Sequence, residues 1–207
     1  MTLVSLSPPT PFAQTIPVTG LVLAGGLARR MGNVDKGLQL LGGQTLVSRV
    51  SHRLAPQVEE LLINANRNQD AYAALGYRVI QDQVEGFAGP LAGLHAGLAA
   101  ARHPLMISVP CDTPFLPADL VSRLLAPLMD ERLDLSVAST TRHVHPVICM
   151  TRRRLLPHLR SYLDSGGRKV EAWYASLQVA QVQFSDEEAF RNINTLEELD
   201  QAGKTGH

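Results

Sequence analysis

The chain has 207 residues, 45 % hydrophobic and 18 % charged, which is enough apolar material for one sizeable α/β domain and too little for two. Lys plus Arg and Asp plus Glu balance at 19 each, so the basic excess of a general nucleic-acid binder is missing, and a small anion met by a few placed cations is the expected substrate. Two cysteines, Cys111 and Cys149, exclude a disulfide framework or a four-thiolate zinc site; no apolar run reaches the roughly 18 residues that span a bilayer, and the reading is a cytoplasmic protein without membrane or nucleic-acid partners.

Residues 1–17 carry Pro8, Pro9, Pro11 and Pro17 but no Lys or Arg, the composition of a flexible N-terminal extension and not of a secretory signal. Residues 18–203 are expected to form a single domain, with 204–207 as a tail. Within it, β-type apolar runs alternate with helix-like segments, the pattern of a mainly parallel sheet covered by helices. Strands are expected at 20–23, 60–64, 77–80, 105–109, 133–138 and 146–150. Too few residues separate the last two for a helical crossover, so they should pair antiparallel and make the sheet mixed. Helices are expected at 45–54, 91–101, 117–129, 152–163 and 195–202, with Pro117 at a helix start and Thr195 with Glu198 forming a capping box.

The segment that follows the first strand, Leu23-Ala24-Gly25-Gly26-Leu27-Ala28-Arg29-Arg30-Met31-Gly32-Asn33-Val34-Asp35-Lys36-Gly37, combines glycines with three cations. Adjacent glycines let the backbone approach a ligand and turn its amides toward phosphate oxygens. Arg29, Arg30 and Lys36 bring positive charge to the same loop, and the carboxyl edge of an open α/β sheet is where ligands bind. The spacing is neither the G-x-G-x-x-G dinucleotide fingerprint nor a P-loop.

A second run, Pro110-Cys111-Asp112-Thr113-Pro114, follows the most apolar strand. A carboxylate at that position is suited to hold Mg²⁺ against a bound polyphosphate; the competing reading has Asp112 capping the next helix. No base partner is identifiable for Cys111, which reads as a small packing residue. His143 and His145 read as a polar turn entering a strand, His95 as a packed or partly exposed helical residue, and Trp173 with Tyr174 as core.

Together these motifs resemble the molybdenum cofactor guanylyltransferase family. The likeness covers about 18–199 and takes in the Leu23–Leu38 segment, Asn64-Ala65-Asn66-Arg67, Asp82, Gly89-Pro90-Leu91-Ala92-Gly93, the Asp112 run, His145-Pro146, Gly166-Gly167-Arg168-Lys169 and Asn192-Ile193-Asn194-Thr195. It implies a three-layer, Rossmann-like nucleotidyltransferase fold with a mixed, mainly parallel sheet. It also implies transfer of GMP from GTP to the terminal phosphate of molybdopterin, with Mg²⁺ as cofactor and GTP and molybdopterin as substrates. Leu23, Ala24 and Gly25 would contact the GTP base and ribose through the backbone, with Asn64 and Asp82 in the same pocket. Lys36, assisted by Arg30, would meet the phosphates, and Asp112 would hold the metal. Gly89, Pro90, Arg168, Lys169, Asn192 and Asn194 would receive the pterin, His145 helping to shape the pocket and either of the adjacent basic residues making the contact. A CTP-dependent molybdopterin cytidylyltransferase is the near alternative, disfavoured by Leu23-Ala24-Gly25-Gly26 and Cys111-Asp112-Thr113. A non-catalytic nucleotide-binding module that delivers cofactor to insertion proteins or apo-molybdoenzymes is the more distant one.

Overall fold

The run Val18–Leu23 forms strand β1, and the pleat of that strand separates the two larger apolar cores, beside which Leu41, Leu46, Ile193, Leu199 and Ala202 form a smaller third. Val18 and Val22 point into one apolar cluster and Leu21 into the other. The computed structural model describes residues 16–24, 27–28, 34–84, 89–195, 197–199 and 202. Most of the expected extension, the 204–207 tail and the loop residues Gly25, Gly26, Arg29 and Arg30 lie outside the described residues.

Two short hairpins follow β1: β2 (Leu27–Ala28) with β3 (Val34–Asp35), and β4 (Leu40–Leu41) with β5 (Gln44–Thr45). The other strands are β6 (Glu60–Asn64), β7 (Arg78–Ile80), β8 (Leu105–Pro110), β9 (Leu135–Ser139), β10 (Val144–Arg152) and β11 (Val179–Gln183). With β1 they make a seven-stranded sheet in the order β11-β9-β10-β8-β1-β6-β7. Pairing is parallel from β8 through β1 and β6 to β7, antiparallel on both sides of β10, and parallel again between β9 and β11. The carboxyl ends of β1, β6, β7, β8, β9 and β11 therefore share one edge of the sheet.

Helices α1 (Leu46–Leu54) and α4 (Leu120–Leu125) cover one face through Val47, Val50, Leu54, Leu120 and Leu124. Helices α3 (Pro90–Ala100), α5 (Leu156–Asp164) and α6 (Val170–Tyr174) cover the other through Leu91, Leu98, Leu159, Leu163 and Trp173. Strand β8 repeats the division of β1, with Leu105, Ile107 and Val109 in the first cluster and Met106 in the second. The result is the expected three-layer α/β architecture with a mixed, mainly parallel sheet, and the 9–10 pair is antiparallel as the short connection demanded.

The differences from expectation have local causes. Strand β11 was not anticipated: it is a half-exposed edge strand, and its sequence Val-Ala-Gln-Val-Gln is short and partly polar. Helix α2 (Gln69–Ala73) and α6 are single-turn helices, too short to show a helical period. The helix expected from Pro117 begins at Leu120, after a turn in which Leu120 N–H donates to the Pro117 carbonyl at 3.3 Å, and it tightens to a 3₁₀ turn at Ala126–Met129 around Pro127. The helix expected from Arg152 starts at Leu156, because β10 runs through Arg152 and Pro157 suits the first turn of a helix. No helix among the described residues is long and apolar enough to cross a membrane.

Candidate active site

Three backbone hydrogen bonds knit the carboxyl edge of the sheet. Cys111 N–H donates to the Leu23 carbonyl at 3.0 Å, Ala24 N–H to the Asn64 carbonyl at 2.8 Å, and Ala65 N–H to the Ile80 carbonyl at 2.9 Å. The start of the glycine-rich segment, the Asn64 turn, the β7 end and the Asp112 turn are thereby neighbours, although they are scattered along the sequence. The Leu23 carbonyl accepts from Cys111 and the Ala24 N–H donates to Asn64, so both peptide groups are held in place at this edge.

Lys36 and Asp112 form an ion pair at the centre of this edge. Lys36 Nζ donates to Asp112 Oδ2 at 2.5 Å, with the two side chains 15 % and 16 % exposed. The same ammonium donates to Asn194 Oδ1 at 2.6 Å. The chain after β11 returns across the edge and is fastened there by Ile193 N–H, which donates to the Asp112 carbonyl at 2.8 Å. Thr113 Oγ1 donates to Asn192 Oδ1 at 2.8 Å, a second tie between the two segments. Asn194 is oriented by the expected capping box: Glu198 Oε2 accepts from Asn194 N–H at 2.5 Å and Thr195 N–H at 3.1 Å, and Glu198 N–H donates to Thr195 Oγ1 at 3.1 Å. Asp112 thus pairs with Lys36 and does not cap a helix. Its Oδ1 is buried and has no hydrogen-bond partner among the described residues.

A second polar group lies at the β6–β7 side of the edge. Asn64, 3 % exposed, donates from Nδ2 to Asp82 Oδ1 at 2.9 Å. Asn66 grips the same residue reciprocally, its Nδ2 donating to Asp82 Oδ2 at 2.8 Å and its Oδ1 accepting from Asp82 N–H at 2.9 Å. Helix α3 approaches closely here because Gly93 has no side chain: a Cβ would lie 3.1 Å from the Asn64 amide carbon and 2.6 Å from Leu23 Cδ2. Gly89 stands at the start of α3 with φ of +61°, and Pro90 occupies the first turn, so the 89–90 pair marks the entrance of that helix.

The structure therefore brings Lys36, Asp112 and Asn194 into direct contact and joins Asn64 to Asp82. Asn194, expected with the pterin residues, sits on the Lys36 ammonium. Arg168 and Lys169 lie in the turn between α5 and α6, where the Arg168 guanidinium donates to the Leu163 and Gly167 carbonyls at 2.9 and 2.7 Å. His143 does form a turn, its carbonyl accepting from Thr140 N–H at 2.7 Å, and His145 enters β10 with its ring stacked on Phe190, centroids 4.9 Å apart. Cys111 is a buried packing residue whose thiol is pushed well up by burial, so it is no nucleophile. Trp173 is fully buried and donates from Nε1 to His158 Nδ1 at 3.0 Å, a core role. The sequence reading passed over Asp35, whose carboxylate accepts from Tyr72 and from Asn68. Asp35 stood inside the glycine-rich motif; its partners carry no motif, being 37 and 33 residues away.

Among the described residues no group of three or more His, Cys, Asp and Glu side chains could hold a metal ion by itself. A divalent ion at this edge would have to share its coordination with ligand oxygens. The unpartnered Asp112 Oδ1 is a hard oxygen of the kind Mg²⁺ accepts, and one or two carboxylates beside phosphate oxygens are a common set for that ion. Asp112 fits such a role, whereas Asp35 and Asp82 have both oxygens hydrogen-bonded to neighbours.

Residues 20–180 match the family model described as a MobA-like NTP transferase domain. The molybdenum cofactor guanylyltransferase of Burkholderia ambifaria (strain MC40-6) is 49 % identical over 191 residues, covering 88 % of this chain and 93 % of the relative. The protein of the same name from Shewanella sediminis (strain HAW-EB3) is 44 % identical over 188 residues, covering 90 % and 96 %. Among solved structures, molybdopterin-guanine dinucleotide biosynthesis protein A from Archaeoglobus fulgidus superposes with a TM-score of 0.75 at 21 % identity, covering 90 % of this chain and 97 % of that one. The 4-diphosphocytidyl-2C-methyl-D-erythritol synthase of Anaerococcus prevotii shares the fold at 12 % identity with a TM-score of 0.73, covering 91 % and 95 %.

Proposed function

The chain belongs to the molybdenum cofactor guanylyltransferase family, and on that premise we propose that it transfers GMP from GTP to the terminal phosphate of molybdopterin, with Lys36 and Asp112 at the reacting phosphates. The observation that carries the reading is the meeting of Lys36, Asp112 and Asn194 at the sheet edge that receives the glycine-rich segment. An oxygen of the pterin phosphate attacks the α-phosphorus of GTP and forms the new P–O bond. The bond from that phosphorus to the bridging oxygen breaks, and pyrophosphate leaves with the electron pair. The nucleophile is already ionised near neutral pH, so a strong general base is not required. What the protein must supply is alignment of two anions that repel each other, and positive charge where negative charge accumulates.

Lys36 supplies that charge. Its ammonium is held by Asp112 and Asn194, and both contacts are replaceable by phosphate oxygens, which like the carboxylate form charge-assisted hydrogen bonds to a cation. Arrival of GTP therefore exchanges a protein anion for a substrate anion and frees the Asp112 carboxylate for Mg²⁺. When bound there, Mg²⁺ would neutralise phosphate charge and withdraw electrons from the scissile bond. Arg30 adds a guanidinium to the same loop by sequence position. Leu23, Ala24 and Gly25, through their backbone, are assigned with Asn64 and Asp82 to the base and ribose. Gly89, Pro90, Asn192, Asn194 and the Arg168–Lys169 turn are assigned to the pterin side.

The test is incubation of the purified protein with molybdopterin, Mg²⁺ and equal GTP and CTP, with the product identified by mass spectrometry. A GMP adduct from wild type, and a loss of at least about a hundredfold in Asp112→Ala with its melting curve unchanged, is the expected result. A CMP adduct overturns the nucleotide choice, GTP binding without any adduct overturns transfer itself, and normal turnover by Asp112→Ala removes that residue from the mechanism.

A further inference from the structure

Lys36 is flanked by Asp35 and Gly37, and both neighbours are fixed by one side chain, Tyr72. The Tyr72 hydroxyl donates to Asp35 Oδ1, and Asn68 Nδ2 donates to Asp35 Oδ2 at 2.9 Å. On the other side, a Cβ on Gly37 would lie 2.6 Å from the Tyr72 hydroxyl oxygen and 3.3 Å from its ring carbons, so only glycine lets the chain close on the phenol. Tyr72 is fully buried in the first apolar cluster, which leaves its ring no freedom to follow a shifted backbone. We propose that Tyr72 is a positioning residue for nucleotide binding: with Asn68 it latches Asp35 and thereby sets where Lys36 emerges. This inference rests on the reading of Lys36 as the phosphate-binding cation.

Burial and the Asp35 carboxylate both push the phenol far above its ordinary range, so Tyr72 stays protonated and remains a donor at every working pH. Asn68 is specialised for the same task. It starts helix α2 in a left-handed conformation (φ 48°), yet its side chain does not cap that helix; the amide reaches Asp35 instead. Lys36 is thus held at both ends, its backbone by the latch and its ammonium by Asp112 and Asn194. An unlatched backbone would let the ammonium wander by more than the fraction of an ångström that a phosphate contact tolerates.

The experiment measures GTP affinity by calorimetry, with melting curves alongside, for wild type, Tyr72→Phe, Lys36→Ala and the double variant. Tyr72→Phe keeps the ring in the core and removes only the donor. It should weaken GTP binding by about tenfold, as expected for a lost hydrogen bond to a charged group. The loss should vanish in the Lys36→Ala background, because a residue acting through Lys36 has nothing left to act on. Additive losses in the double variant, or wild-type affinity in Tyr72→Phe, overturn the latch. Should Tyr72→Phe melt early, Asn68→Gly keeps the left-handed backbone and removes the other arm; it should give a smaller loss with the same dependence on Lys36, and wild-type affinity there overturns the proposal. Unchanged GTP binding by Lys36→Ala alone would remove the Lys36 reading itself, and is distinguishable from a silent Tyr72→Phe beside a damaged Lys36→Ala.

Discussion

At the scale of single residues, polar side chains at this edge are held in pairs and triplets before any ligand arrives. Asp82 is the clearest case: one carboxylate takes the amides of Asn64 and Asn66, and Asn66 returns an acceptor to its backbone. Asn66 belonged to a motif legible in the sequence, but its task was not, because the partner lies 16 residues on and only the β6–β7 pairing brings the two together. Removing Asn66 breaks two exposed hydrogen bonds and leaves Asp82 with the Asn64 clamp alone, and each such bond is worth about 0.5–1.5 kcal/mol. Asn66→Ala is therefore expected to raise the KM for GTP by about two- to tenfold with little change in melting temperature. Steady-state kinetics of pyrophosphate release checks this, and an unchanged KM would mean Asp82 needs only Asn64.

Elements matter here through how near they come. Helix α3 lies against β1, and two glycines on one side of it, Gly93 and Gly97, leave room for Asn64, Leu23, Leu21 and the Met106 sulfur. Alanine in place of Gly93 would gain about 1 kcal/mol of helix propensity and lose about 1–3 kcal/mol to overpacking. The balance is a net loss of about 0–2 kcal/mol, so global stability should fall only modestly. The displaced atoms are the Asn64 amide and the end of Leu23, so the damage falls on the groups proposed to receive the nucleotide. Gly93→Ala should melt within a few degrees of wild type while binding GTP several-fold more weakly; equal affinity by calorimetry would show that α3 can back away without moving Asn64. The Thr195–Glu198 capping box shows the reverse relation, a device read correctly from the sequence as a helix start that also delivers Asn194 to Lys36.

Across the whole molecule, two cores back to back on one sheet place histidines in interiors that disfavour charge. Burial lowers the pKa of His95, on α3 at 5 % exposure, with the Arg160 guanidinium adding to the effect and Asp164 opposing it; its Nδ1 has no hydrogen-bond partner among the described residues. Burial likewise lowers that of His145, reinforced by His143. Because these folded-state values lie below the ordinary 6.5, the unfolded chain binds more protons just under that pH. Their stabilising effect is whole above about pH 6.5 and is lost as pH falls through the folded values. Urea midpoints should decline between pH 7.5 and 5.5, and His95→Gln should flatten the decline; an equal slope in that variant would assign the acid sensitivity to other groups.

The sequence by itself determined the alternation of strands and helices, the antiparallel pair made by β9 and β10, the glycine-rich segment at a strand end and the carboxylate at Asp112. These are local properties: periodicity, connection length, and the residue types a phosphate or metal requires. Family membership followed from the order of the motifs and agrees with relatives 49 % identical over most of the chain. Only the tertiary structure decided which polar groups meet. That Lys36 bonds Asp112 and Asn194, that Asp82 answers to Asn66, and that Tyr72 holds Asp35 all depend on contacts 16 to 158 residues apart in sequence. It also placed β11 and the single-turn helices α2 and α6, which lie below the length at which a period can be read. The physical reason is the same throughout: hydrogen bonds form between neighbours in space, and a parallel sheet makes neighbours of strand ends that the chain keeps far apart.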